Sequence, residues 1–115
     1  MSEDSSAEEL FALLDDEYAR AILAQTSIEP MSAKKLSDRC DASLPTVYRR
    51  AERLVDCGLL AERTELGESG HHHSVFEARL DSLTVDLDEG DLSVTVEAGE
   101  PEDPADRFTD LWEGI

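Results

Sequence analysis

Cations are scarce in this chain: ten lysines and arginines stand against 28 aspartates and glutamates, and only Lys34 and Lys35 are lysine. Cysteine is nearly absent. Cys40 and Cys57 are too few and too poorly patterned for a disulfide framework or a zinc module. Both are expected to be reduced, buried, small hydrophobes. Long hydrophobic runs are missing too, since no stretch approaches the ~20 apolar residues that span a bilayer. The first residues, MSEDSSAEELF, have neither the cationic nor the apolar region of a signal peptide, so a cytoplasmic protein is expected. The chain also lacks G-x-S-x-G, P-loop, H-E-x-x-H and dinucleotide fingerprints, which argues against an enzyme and implies no cofactor.

What is present suffices for one domain. The 115 residues are 40% hydrophobic, with fifteen leucines to build a core. A net charge of −18 should repel both itself and nucleic acid at ordinary salt. Two explanations compete: adaptation to molar salt, where the Debye length shrinks to ~3 Å, or an acidic mimic of DNA. The distribution separates them. Residues 1–30 carry eight acids and only Arg20, and residues 81–115 carry twelve acids and only Arg107. Residues 31–80 hold the other eight bases against eight acids, together with all three histidines. A DNA mimic has no reason to spare that middle segment, whereas a halophilic DNA binder does.

Periodicity divides the chain. Ser6-Ala7-Glu8-Glu9 fits a capping box before a short helix with Leu10, Phe11, Leu13 and Leu14. Asp15 or Asp16 can cap a second helix, with Tyr18, Ala19, Ile22 and Leu23 at helical spacing, fading at Thr26-Ser27. Ser32 caps a third, from Ala33 to about Cys40, with Leu36 and Cys40 inward. After Asp41-Ala42-Ser43, Ser43 caps a fourth, from Leu44 to about Cys57, which stops at Gly58. Pro45 sits in its first turn, where the missing N–H costs little. Two helices around so short a turn form the skeleton of a helix-turn-helix.

The fourth helix has a predicted core side of Val47, Ala51 and Leu54, flanked by Leu44 and Val55. Thr46, Arg49 and Arg53 lie opposite, with Arg50 at the edge. Arginine forks bind phosphate and read guanine in the major groove, and Ser43 and Thr46 stand at the helix start, where recognition helices meet DNA. A plain solvated face, its arginines paired with Glu52 and Asp56, is the competing interpretation. After Gly58 the period becomes two. Leu60 to Leu66 and His73 to Arg79 read as a hairpin around Gly67–Gly70, a wing behind the recognition helix. A second hairpin follows: Leu83, Val85 and Leu87, a turn at Asp88–Asp91, then Leu92, Val94 and Val96, six apolar side chains on one face that need a partner. Past Pro101–Pro104, a last helix carries Phe108, Leu111, Trp112 and Ile115 on one stripe.

The stretch SAKKLSDRCDASLPTVYRRAERLVDCGLLAERTE, followed by GHHHSVFEARL, resembles winged helix-turn-helix regulators of the ArsR type, especially short acidic haloarchaeal ones. The tail DPADRFTDLWEGI is similar to theirs as well. The resemblance implies recognition-helix roles for Pro45, Thr46, Tyr48, Arg49, Arg50 and Arg53, a wing tip at His71, His72 and His73, and a homodimer on double-stranded DNA. Lys34, Lys35 and Ser43 join the expected DNA-binding set. The paired-cysteine motif of metal-sensing members is missing, with only Cys40 in that helix, so no metal site is expected.

The histidine run could in principle ligate Zn²⁺ or Ni²⁺. Neighbours on a strand point to opposite faces, so at most two converge on one ion, and a wing loop contacting phosphate is favoured. The resulting fold class is α+β: a winged helix-turn-helix over residues 1–80, then a hairpin and C-terminal helix over 81–115 as a dimerisation extension. Two-fold pairing is expected to bury the second hairpin, the C-terminal stripe and the first helix against their mates; folding back onto the same chain is the alternative. A winged-helix protein-interaction module is the runner-up to a DNA-binding regulator. The charge distribution yields a prediction. Because the two ends concentrate uncompensated acid, the melting temperature should rise steeply from low to molar KCl; a flat or falling profile would restore the acidic-mimic explanation.

Overall fold

In the computed structural model, residues 7–66 and 72–99 are described. The Ser6 cap, the Gly67–Gly70 loop, His71 and the C-terminal stripe lie outside them. The order is α1 (Ala7–Asp15), α2 (Glu17–Ile28), α3 (Ala33–Cys40), α4 (Leu44–Asp56), β1 (Leu60–Leu66), β2 (His72–Ala78), β3 (Leu80–Asp88) and β4 (Asp91–Ala98). No helix among the described residues is long and apolar enough to cross a membrane.

Capping sets the helix starts. Oxygens of Asp16, Ser32 and Ser43 accept from the backbone N–H of Ala19, Lys35 and Thr46, each three residues on, and so satisfy donors that the helix leaves unpaired. α3 stops at Asp41, which adopts the left-handed conformation at φ 54°. At the end of α4, Gly58 takes φ +79°, and its N–H bonds Val55 O while Leu59 N–H bonds Leu54 O. That paired closure is a Schellman motif, and the positive φ explains the glycine. α2 departs from expectation by continuing through Thr26 and Ser27 to Ile28. Both hydroxyls donate to carbonyls within the helix, Thr26 Oγ1 to Ile22 O and Ser27 Oγ to Ala24 O, so neither competes with it.

One core unites the helices and the first hairpin. Leu10 and Leu13 of α1, Ile22 of α2, Leu36 of α3, Val47, Ala51 and Leu54 of α4, and Leu59, Leu60 and Phe76 are all buried. Leu10 and Leu13 are thus consumed inside their own domain and do not form the outward dimer face expected of α1; Phe11 is the large side chain of that helix left exposed. Leu44, expected to flank the core, is likewise exposed, and Val55 only half-buried. β1 and β2 pair antiparallel from Leu60↔Ala78 to Leu66↔His72. Met31, between α2 and α3, exchanges two backbone hydrogen bonds with Phe76 and stitches the hairpin to the helices. Strand pairing stops at Ala78, because the N–H groups of Arg79 and Leu80 turn to Leu59 O. Cys40 and Cys57 are free and half-buried where full burial was expected, and burial pushes the Cys40 thiol above its ordinary pKa.

β3 and β4 form a separate two-stranded sheet, with Leu83 opposite Val96, Val85 opposite Val94 and Leu87 opposite Leu92. Its turn residues Glu89 and Gly90 both have positive φ, the geometry of a type I′ hairpin. Leu80, Leu83, Val94 and Val96 pack against the core, but Val85, Leu87 and Leu92 towards the tip remain exposed. Only half of this apolar face is therefore covered by the described residues.

The packing predicts two different costs. Leu54→Ala removes a fully buried side chain and should cost about 2–5 kcal/mol. Ser43→Ala removes an exposed cap and should cost about 1 kcal/mol. Urea titrations in concentrated KCl measure both, and equal losses would show that the α4 seam is not the tightly packed centre described.

Candidate nucleic-acid interface

The α4 helix is held by one face, so its roll is set by Val47, Ala51 and Leu54 against α2 and α3. Of the rest of its surface, Pro45, Tyr48, Arg49, Glu52 and Asp56 are exposed and Thr46 and Arg53 half-buried. At the start of the helix, Ser43 Oγ donates to Thr46 Oγ1 at 3.0 Å and accepts from Thr46 N–H at 3.3 Å, so the two hydroxyls are placed together at its positive end.

The arginines are not equivalent. Arg49 is exposed. Arg53 is half-buried on the wall of an open recess that also holds Arg20, Arg50 and the acids Asp15, Asp16 and Glu17. Arg50, expected at the edge of the outer face, turns against Asp16 instead, its Nε donating to Oδ2 at 2.6 Å. That oxygen also accepts the Ala19 N–H at 3.0 Å, so Asp16 caps α2 and anchors α4 at once. The anticipated partners Glu52 and Asp56 make no ion pair with any of the three arginines among the described residues. Asp16 was legible as one of two candidate caps, with Asp15, but its pairing with an arginine 34 residues away has no local signature.

The other cations are mostly committed. Lys35 pairs with Glu29 at 3.1 Å, with both groups about half exposed. Arg20 donates to Leu14 O and Arg39 to Gln25 Oε1. Arg63 spans the first hairpin between Glu77 at 3.5 Å and Glu65 at 3.7 Å. Glu77 Oε1 is buried without a hydrogen bond, so that ion pair, although not aligned as one, is its compensation. Among the described residues, this leaves Lys34, Arg49 and Arg53 with neither ion pair nor hydrogen bond from the side chain. Lys34 lies exposed in the first turn of α3, beside Lys35.

The wing is less cationic than its position suggests. His72 opens β2, and the exposed His73 sits opposite Glu65 with Nε2 3.8 Å from Oε1, an ionic pair only when the imidazole is protonated. Tyr48, with Glu52, Val55, Asp56, Glu62 and Phe76, lines a second recess between α4 and the wing, acidic at its rim. No group of three or more histidines, cysteines or acids placed to hold a metal occurs among the described residues.

The Arg50–Asp16 contact carries a stability prediction. Both side chains are mostly shielded from water, so the pair should survive molar salt. Asp16→Ala, which loses cap and ion pair together, should cost about 1–3 kcal/mol, and Arg50→Ala about 1 kcal/mol. A double-mutant cycle should show coupling of at least about 0.5 kcal/mol; additive losses would mean that the contact does not hold α4.

Residues 14–63, from the end of α1 into β1, match the family model of a helix-turn-helix domain. No curated protein matches the chain. In that matched segment α3 and α4 are the two helices, Asp41–Ser43 is the turn, and the β1–β2 hairpin behind them is the wing: the chain folds as a winged helix-turn-helix of α+β class.

Proposed function

We propose that the protein is a sequence-specific DNA-binding transcription regulator of the ArsR-like haloarchaeal kind, which inserts α4 into the major groove of double-stranded DNA. The carrying observation is that the side chains of Arg49 and Arg53 are unpaired. In a chain of net charge −18, two arginines of one helix face have no carboxylate within ion-pairing distance among the described residues. Thr46 at the start of the helix adds a hydroxyl donor for a base edge or phosphate, with Ser43 bonded to it, and Lys34 and Lys35 are suited to the flanking backbone. Arg50 sets the position of α4 through Asp16 in this reading. The protein acts in the cytoplasm, as a binding module and not an enzyme. As the family resemblance implies, it works as a homodimer that sets two recognition helices about 34 Å apart on a palindromic site.

One observation favours a second reading, a winged-helix protein-interaction module: the recess of Tyr48, Glu52, Asp56 and Glu62 beside α4 suits a cationic partner better than DNA. Two measurements separate them. Arg49→Ala with Arg53→Ala should weaken promoter binding by ~1–3 kcal/mol per contact, roughly 5- to 150-fold each, with helical circular dichroism unchanged. Genome-wide immunoprecipitation of the tagged protein should enrich a few promoters. Undiminished binding by the double variant removes the docking face, and enrichment at every active promoter favours the interaction module.

A further inference from the structure

We propose, resting on the DNA-binding reading, that Glu52 is a specificity-determining residue: it accepts a hydrogen bond from cytosine N4 in the major groove, beside a guanine met by Arg49.

The roll of α4 puts Glu52 on the docking face. At 100° per residue, Arg49 lies within about 15° of the direction opposite Val47, Ala51 and Leu54, and Glu52 and Arg53 flank it at about 50° on either hand. The two flanks differ. Arg53 is half-buried on the wall of the recess that holds Arg50 and Asp16, whereas Glu52 is exposed. A helix that docks through Arg49 therefore brings Glu52 onto the DNA as well. Its carboxylate is free to bind there: among the described residues Glu52 makes no side-chain ion pair or hydrogen bond. It does not pair even with Arg49, three residues away, at a spacing where opposite charges readily meet on a helix.

A carboxylate in this position meets acceptors on most base edges. Guanine presents O6 and N7, thymine O4 and adenine N7, and all of them repel it. The amino donors of the major groove are cytosine N4 and adenine N6, and the adenine donor stands beside its own N7. Cytosine alone offers a donor with no acceptor on the same base edge. Glu52 thus selects in both senses, by a bond to cytosine and by repulsion from the other bases. Three residues of helix span ~4.5 Å, close to the ~3.4 Å rise of a base pair, so the guanine under Arg49 and the cytosine under Glu52 fall on successive pairs. In molar salt, where the Debye length is ~3 Å, repulsion from more distant phosphates is screened and the direct contact persists.

Selection from a randomised double-stranded DNA library by the full-length protein in concentrated KCl tests this. The parent should enrich a motif with two successive G·C pairs, and exchanging either for A·T should weaken binding roughly 5- to 150-fold in fluorescence anisotropy. Arg49→Ala should erase the preference at one of these pairs. Glu52→Gln should erase it at the other and shift that position towards adenine, which an amide contacts at N6 and N7. Retained selectivity of Glu52→Gln at the Arg49 pair confirms its fold. Asp56→Asn, which removes an equal charge from the same helix, should leave both preferences intact. A Glu52→Gln variant that binds every duplex more tightly by one factor, with all preferences kept, shows a merely solvated acid and overturns the proposal while specific DNA binding stands. A parental motif without adjacent G·C pairs, or a preference lost equally in Asp56→Asn, overturns it as well. A parent that enriches no motif removes the DNA-binding reading itself, and the role of Glu52 with it.

Discussion

Burial of Val47, Ala51 and Leu54 is the constraint on which the rest of the molecule depends. Those three side chains are almost fully removed from water and lie on one narrow side of α4. With that side occupied, the directions of Arg49, Arg53 and Thr46 follow from the 100° step of the helix and need no further specification. The Schellman closure at Gly58 then sends the chain into β1, and the exchange between Met31 and Phe76 returns β2 to the helical block. The wing is consequently referenced to the same core as α4. Cumulative burial at the seam governs the geometry of everything outside it.

Charge is arranged around that seam rather than through it. Arg50 and Asp16 form the contact that is both short and mostly shielded, and it joins α4 to the start of α2. The other ion pairs, Lys35–Glu29 and those of Arg63, are more exposed and contribute little to stability on their own. In a chain of net charge −18, a cation without an ion pair stands out. Among the described residues Arg49, Arg53 and Lys34 are unpaired in that sense, while the recess of Tyr48 is lined by Glu52, Asp56 and Glu62.

Much of this was legible because the signals are local. Asp16, Ser32 and Ser43 cap where short-range hydrogen bonding requires them to, Gly58 ends α4, and the two-residue period beyond it separates both hairpins. What escaped the sequence depends on distance or on competition. The Arg50–Asp16 and Met31–Phe76 contacts join residues far apart in the chain, and neither leaves a periodic trace. The overrun of α2 through Thr26 and Ser27 reflects hydroxyls that can either break a helix or bond back into it, a choice decided by the buried setting of Thr26. The fate of Leu10 and Leu13 was hidden for a related reason: an apolar stripe announces burial but not whether the partner is the same chain or another.

Under the proposed haloarchaeal reading, the preference for arginine over lysine has a physical ground in molar salt. At a Debye length of ~3 Å, attraction at a distance vanishes, and so does the long-range repulsion between an acidic protein and phosphate. Recognition then depends on contacts at hydrogen-bonding range. A guanidinium offers a planar fork that can make two aligned bonds to phosphate or guanine, whereas an ammonium acts mainly as a hydrated point charge. Eight of the ten cations are arginine, and three of them stand within five residues of α4. Under the DNA-binding reading, an interface of this kind gains little from electrostatic steering and draws its affinity from geometry. The rigid seating of α4 on its apolar seam is the property that such an interface most requires.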